Sequence, residues 1–300
     1  MTLLSVFADV VVPVFAVTAL GYFLGPRLGL ESRTLARVSY HVLVPAFTFR
    51  VISTAHVPLG RTARMAACVI AMHAVFALVG WGTARLLRRS REISAAFVMV
   101  TVFGNVGNFA LALLQFRLGP AALLPATIYF VVSLVTSFVV CVGVAAHVRG
   151  GRTSAVLSVA RTPALLAVLP AAVVAATGAT VPLFVARPVG LLGDAMIPVM
   201  LLLLGVQLAE TRVLRLSADV LVTSALRLLA CPAIAALLVA PFGLAGIDRT
   251  ACILQAAMPA AVLVAIISAE YDVAPDFVMS SIFCSTVLSL PVLTVLLSVA

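Results

Sequence analysis

The sequence alternates between long apolar runs and short polar connections along its whole length. A helix needs about 20 mostly apolar residues to cross a hydrocarbon core that is ~30 Å thick. Runs of that kind lie at approximately 3–25, 32–53, 62–87, 93–116, 121–147, 156–178, 183–209, 218–241, 250–270 and 277–299. We number them as predicted spans 1 to 10. The pattern predicts an all-α transmembrane protein of about ten helices, without a sizeable soluble domain.

The composition also favours a lipid environment. Apolar residues occupy 64% of the 300 positions and charged residues only 10%, whereas soluble domains carry roughly 25% charge. The net charge of +9 comes from 19 arginines that are spread between the apolar runs, with no lysine. Because no basic patch forms, nucleic-acid binding is not expected. The five cysteines stand singly, without the spacing of metal ligands, so we expect no disulfide, metal site or cofactor.

The arginines also predict the orientation of the chain, because cytoplasmic loops carry an excess of positive charge. The connections after spans 1, 3, 5, 7 and 9 hold twelve arginines, and those on the opposite side hold six. The first set is therefore expected in the cytoplasm. This orientation puts both termini outside, in a multi-pass protein of the plasma membrane.

The two halves of the chain place their prolines at matching positions. Pro45 in span 2 and Pro198 in span 7 are 153 residues apart, and Pro120 and Pro275, at the ends of spans 4 and 9, are 155 apart. With five spans in each half, the second half must enter the membrane from the opposite face, as in the inverted repeats of secondary transporters. Chance agreement among the 16 prolines is the alternative.

The repeat sets the expected domain boundaries. A first five-helix repeat is predicted at 1–148 and a second, inverted repeat at 156–300. Between them, 149–155 is predicted to be a cytoplasmic linker. Pro45 and Pro198 are expected to act as hinges or helix breaks within the repeats.

Spans 4 and 9 are each interrupted near the middle. In span 4 the interruption is the sequence FGNVGNF, beginning at Phe103, in which Gly104 weakens helix continuity. In span 9 it is QAAMPA, where Pro259 removes a backbone donor. Such breaks survive in lipid only against protein or a watery cavity, and two at matched depth point to a transport site. The half-helix beginning near Asn108 would aim its positive end at the midplane, which favours an anion. A packing notch of small residues is the alternative.

The same stretches carry a family resemblance. The run GNVGNFALAL followed by FRLGP resembles the fourth-helix signature of the auxin efflux carrier family, and AAMPAAVLVAIISAEYDVAPDFVMSSIFCSTVLSLPVLTVLL resembles its ninth and tenth helices. FAVTALGYFLGPRLGL and ALRLLACP also fit the first and eighth helices, so the resemblance covers essentially the whole chain. A bacterial, malonate-transporter-like member would have ten helices in two inverted five-helix repeats. Its broken helices 4 and 9 would cross, and it would move carboxylates such as auxin or malonate.

The resemblance also implies which residues contact the substrate. By position, these are Asn105, Gly107 and Asn108 in the first break and Met258 and Pro259 in the second. This chain departs from the family pattern at Ala110 and Ala112, where Gly and Pro are expected, and at Leu263, near an expected Asn. The same analogy makes a homodimer through spans 2 and 7 possible.

Ionisable and polar residues inside the spans add further candidates. Asp194 lies in span 7 and Arg227 in span 8, and such residues often mark substrate or ion paths. The two could form a buried pair; otherwise Arg227 binds a substrate carboxylate bidentately, or snorkels to the interface, while Asp194 binds a coupling H⁺ or Na⁺. Gln255 at the second break and Ser285 in a polar stripe of span 10 are additional candidates for substrate contacts.

These features together predict a secondary transporter that moves a small organic anion by alternating access at a midplane crossover of broken helices. A passive channel is one alternative and an intramembrane enzyme another. Metal-dependent cleavage would need an HExxH sequence and aspartyl cleavage a second intramembrane aspartate beside Asp194, so we do not expect an enzyme.

Overall fold

The structure, a computed structural model, describes residues 3–54, 59–149, 163–210 and 215–299, and these are almost entirely helical. We number the helices in chain order and give the halves of a broken helix the letters a and b. They are α1 Leu3–Arg27, α2 32–53, α3 Leu59–Leu86, α4a Arg91–Val102, α4b 106–118, α5 Pro120–Arg149, α6 Pro163–Thr177, α7 Leu183–Ala209, α8 Ala218–Leu238, α9a Gly246–Ala256, α9b Leu263–Glu270 and α10 Pro275–Val299. Apart from Arg149, the predicted linker lies outside the described residues.

Six of these helices, α1, α3, α5, α7, α8 and α10, are long and apolar enough to cross a membrane. Their outer faces keep large apolar side chains exposed, among them Leu78 of α3 and Leu237 of α8. Such surfaces suit hydrocarbon rather than water. The prediction of an all-α, multi-pass membrane protein is therefore confirmed.

Three helices accommodate a proline by widening into a π turn just before it. In each, the residue before the proline donates its N–H to the carbonyl five positions back, from Val12 to Phe7, Val44 to Ser39 and Cys231 to Leu226. A proline ring clashes with the carbonyl of the preceding turn in a regular helix, and a π turn relieves that crowding while keeping the N–H groups bonded. Consequently α2 runs unbroken through Pro45, and α7 likewise continues through Pro198. Neither proline is a break, and hinge motion there stays a prediction.

Helices α1, α2, α6 and α7 pack against one another, and we call them the panel. The closest approach joins α1 to α7: a Cβ on Gly21 would lie 2.9 Å from the Leu202 carbonyl carbon, and one on Gly205 would lie 2.6 Å from the Tyr22 nitrogen. Only glycine allows the two backbones to come so near. At one end of the panel, Glu210 accepts hydrogen bonds from the Ser32 N–H (3.1 Å) and Oγ (2.6 Å) where α2 begins.

The remaining helices, α3, α4a, α4b, α5, α8, α9a, α9b and α10, form a second group that we call the crossover unit. Ion pairs fasten its helices at both ends. Arg61 of α3 binds both carboxylate oxygens of Asp248 in α9a at 2.6 Å, and Arg89 after α3 binds Asp219 in α8 at 2.9 Å. The panel contacts this unit mainly through α1 and α7 against α4b, α1 against α10, and α2 against α5.

Candidate functional site

The two broken helices cross at their breaks and bond to each other. The Asn105 N–H donates to the Pro259 carbonyl (2.7 Å), and the Ala261 N–H donates to the Phe103 carbonyl (2.8 Å). These bonds form an isolated antiparallel bridge between Gly104 and Ala260. An unpaired backbone group costs several kcal/mol in hydrocarbon. Each break therefore supplies partners for groups that the other one frees.

Arg227 stabilises the crossover through hydrogen bonds to both broken helices. It lies in the π turn of α8, only 1% exposed, and its guanidinium donates to three backbone carbonyls. The acceptors are Met258 at 2.7 Å, Thr101 at 2.9 Å and Gln255 at 3.4 Å. Arg227 Cζ also lies over the Phe76 ring, 5.8 Å from its centroid. One side chain thus binds carbonyls at the ends of both α4a and α9a.

Gly104 makes room for this guanidinium. A Cβ at position 104 would lie 2.7 Å from Arg227 Cζ and closer still to Nη2. Gly107 is crowded on a different side, since a Cβ there would lie 2.8 Å from Cε2 of Phe130. A Cβ at either glycine of the first break would therefore displace a neighbouring side chain.

A cavity of about 70 Å³ lies beside the crossover, between the crossover unit and the panel. It is bounded by Gly104, Asn105 and Gly107 of the first break, by Leu263 where α9b begins, and on the panel side by Tyr40 and Gln207. It lies toward the ends where α2 begins and α7 ends. The volume accommodates several water-sized groups. The starts of both second half-helices, α4b and α9b, border this space.

Four predicted contact residues surround the crossover and are not among the described residues that line the cavity: Met258, Pro259, Gln255 and Ser285. Met258 and Pro259 contribute the carbonyls already described. Gln255 is fully buried and donates from Nε2 to the Ala126 carbonyl (3.3 Å), and Ser285 Oγ accepts the Ala260 N–H (3.2 Å). Asn108 lies in the first turn of α4b. Among the described residues predicted in the two breaks, Gly104, Asn105 and Gly107 lie at the cavity surface.

Asp194 lies elsewhere, so the first alternative, a buried pair with Arg227, is wrong. Asp194 pairs with Arg50 of α2, and Arg50 also donates to the Gly190 carbonyl (3.2 Å). The two side chains are 69% and 39% exposed, in a separate cavity of about 290 Å³ toward the other end of the same helices. Snorkelling of Arg227 is likewise contradicted by its burial. With its donors on backbone carbonyls, Arg227 offers no bidentate site to a carboxylate in this conformation.

The sequence-based prediction missed the panel side of the cavity. Ser39, Tyr40 and Gln207 line it together with Met200. Gln207 could have been recognised as a candidate, because it is a polar residue inside the apolar run of span 7. Arg50, near the end of predicted span 2, is not recognisable from the sequence as the partner of Asp194, because nothing in their spacing indicates that α2 and α7 meet there.

Broken helices that cross inside an apolar bundle, beside a cavity bordered by half-helix ends, are a feature of polytopic membrane transporters. The sequence matches the family described as membrane transport protein over residues 6–148 and 147–297. The chain therefore belongs to this family, which confirms the predicted relationship to the auxin efflux carriers. Because this is a family of transport proteins, membership argues against an intramembrane enzyme. No curated protein matches the sequence.

Proposed function

We propose that this membrane transporter moves a small organic anion, which binds in the cavity at the crossover. The observation that carries the proposal is that α4b and α9b both begin at this cavity, at Val106 and Leu263. The N-terminus of a helix carries about half a positive charge. Two such helix ends at one cavity favour binding of an anion.

The proposed architecture is ten membrane-crossing helices in two inverted repeats, 1–148 and 156–300, joined by the linker at 149–155. The bridge between Gly104 and Ala260 supports it, because these residues are 156 apart, close to the offset of the prolines. The residues before Pro120 and Pro275 support it too. Gly119 and Ala274 both adopt positive φ, 78° and 47°, where α5 and α10 begin. Alanine rarely adopts this conformation, so its occurrence at a matched position favours a repeated design over chance.

We further propose alternating access between the two cavities. They lie toward opposite ends of α2 and α7, and both lie between the panel and the crossover unit. Every ion pair in the described ranges joins residues of the same group, such as Arg50 with Asp194 in the panel and Arg61 with Asp248 in the crossover unit. A shift of one group against the other would break none of them. The arginine distribution makes the crossover cavity the cytoplasmic one, with both termini outside.

Asp194 is our candidate for coupling to H⁺ or Na⁺. It is a carboxylate within α7, and its cavity contains Gln115 of α4b and Arg50 as further polar groups. Binding of a cation to Asp194 would release Arg50 from the ion pair. The net charge of this cavity would then become more positive, which would favour an anion that enters it. Homodimerisation through α2 and α7 remains a prediction from family analogy.

Counterflow in proteoliposomes tests the transport proposal. Saturable, trans-stimulated uptake of malonate, succinate or indole-3-acetate is expected, and Asn105→Leu should abolish it while the protein still inserts. Asn108→Leu is expected to do the same. Linear, unsaturated flux would indicate a channel, and wild-type rates in both variants would rule out this site. A thermal-shift screen against the same acids, with and without Na⁺, narrows the substrate and the coupling ion.

A further inference from the structure

We infer that Arg227 makes the crossover cavity selective for anions by neutralising only the negative ends of the broken helices. The inference rests on the proposed function and assigns the charge preference to a residue that does not itself line the cavity. It differs from direct capture of a carboxylate by the guanidinium, whose donors are already bonded to the backbone.

The charges of a broken helix ordinarily cancel. The first half ends in carbonyls that amount to about −0.5 elementary charge, and the second half begins with N–H groups worth about +0.5. At each break only a few residues separate Val102 from Val106 and Ala256 from Leu263. A solute nearby would therefore see opposite partial charges at similar distance, with little net preference for an anion.

Arg227 removes this symmetry. Its three acceptors, Thr101, Gln255 and Met258, are carbonyls at the ends of α4a and α9a or just beyond them. None of its described hydrogen bonds goes to the start of α4b or α9b. A full positive charge thus offsets the two negative half-charges. The two positive ends then dominate the potential in the cavity that they border.

No carboxylate offsets Arg227. All ten acidic residues of the sequence lie within the described ranges, and none forms an ion pair with it. The nearby ring of Phe76, over which Arg227 Cζ lies, carries no formal charge. His73 lies near the guanidinium as well. The described hydrogen bonds of its ring go to two uncharged groups, the Val69 carbonyl and the Ser133 hydroxyl. The crossover therefore carries one net positive charge in a buried position.

The field reaches the cavity across a single residue. The Cβ position of Gly104 faces the guanidinium, and Gly104 also lines the cavity. An anion touching Gly104 would lie on the order of 7 Å from the charge, two contact distances of about 3.5 Å. With an effective dielectric of about 20, a unit charge at that distance changes affinity roughly 10- to 100-fold.

The test compares each carboxylate with its uncharged amide in proteoliposomes. Wild-type protein should prefer malonate over malonamide, or indole-3-acetate over its amide, by roughly 10- to 100-fold in half-saturation concentration. Arg227→Lys keeps the charge and should keep most of this preference, whereas Arg227→Gln should lose it. Arg89→Gln removes an equal charge at the surface and serves as the matched control, with unchanged preference.

A second pair of variants protects the test against misfolding of Arg227→Gln. Phe76→Glu brings a carboxylate to the guanidinium, and Phe76→Gln is its uncharged match. The glutamate should abolish the preference for anions and the glutamine should preserve it. Folding is checked by size-exclusion profile in detergent.

The outcomes separate the two proposals. Absence of saturable counterflow of any acid in wild-type protein refutes the transport proposal. If the wild-type protein instead prefers acids over amides and the same preference is kept in Arg227→Gln or in Phe76→Glu, the result agrees with the transport proposal and refutes the role of Arg227. If Arg227→Gln does not fold, the Phe76 pair decides.

Discussion

Gly104→Ala is the sharpest test of the crossover, because one added methyl group meets the residue that fastens both breaks. Its carbon would lie 2.7 Å from Arg227 Cζ, well inside contact distance. Gly104 is not among the described residues with positive φ, so alanine is compatible with the backbone conformation. The expected effect therefore comes from displacement of the guanidinium and not from dihedral strain.

The magnitude follows from the hydrogen bonds at stake. The bonds from Arg227 to Met258 and Thr101 are short, 2.7 and 2.9 Å, and each joins a charged donor to a buried carbonyl. Hydrogen bonds to charged groups contribute roughly 1.5–3 kcal/mol each, so losing two costs about 3–6 kcal/mol. The arginine chain is flexible, but a shift that clears the new methyl group moves the donors away from both acceptors.

Thermal unfolding in detergent measures this loss directly. All five cysteines, Cys68, Cys141, Cys231, Cys252 and Cys284, are buried, so a thiol-reactive fluorophore reports unfolding as they become accessible. Gly104→Ala should lower Tm by several degrees or more. Gly143→Ala is the matched control, because nothing lies within 4 Å of its Cβ position in α5; it should be neutral or slightly stabilising. Equal Tm values for the two variants would refute the proposed contact.

Three further perturbations have expected outcomes. Gly21→Val should prevent stable packing of α1 on α7, because its Cβ meets the Leu202 backbone, which cannot swing aside; loss of the monodisperse peak in size-exclusion chromatography checks this, and a normal peak would contradict it. Asp248→Asn should destabilise by about 1–3 kcal/mol in the thiol assay, since Asp248 is nearly buried and its charged bonds to Arg61 measure 2.6 Å. Asp194→Asn should change stability by less than about 1 kcal/mol because its pair is exposed, yet it should abolish stimulation by an H⁺ or Na⁺ gradient while leaving exchange intact; retained stimulation would exclude Asp194 as the coupling site.

The apolar pattern was sufficient to predict the helices, because the need to bury twenty apolar residues in lipid leaves little freedom in where each one begins and ends. The break in α4 was expected near Gly104 and the break in α9 near Pro259, and the helices stop at Val102 and Ala256. These residues act locally, through helix propensity and a missing donor, and so can be recognised from their neighbours in sequence.

The partners of the charged residues could not be predicted in the same way. Arg227 and Asp194 were considered as a pair because both are charged and lie within spans, but their helices, α8 and α7, belong to different packed groups. Pairing depends on which helix faces meet, and the hydropathy of a span does not specify its rotation. The prolines show the same limit. Pro45 was expected to bend or break α2, whereas the π turn that absorbs it is a response of the surrounding backbone.

The two breaks depend on each other and on Arg227, and this dependence explains how an interrupted backbone can be stable inside a membrane. A single break would leave the Asn105 N–H and the Phe103 carbonyl without the partners that α9 supplies. The pairing between breaks satisfies two carbonyls and two N–H groups, and Arg227 satisfies carbonyls that the pairing does not reach. The carbonyls at the ends of α4a and α9a are thus hydrogen-bonded within the protein, while the starts of α4b and α9b, at Val106 and Leu263, border the cavity. The arrangement that stabilises the crossover therefore also leaves the positive backbone ends at this cavity, where we propose that the solute binds.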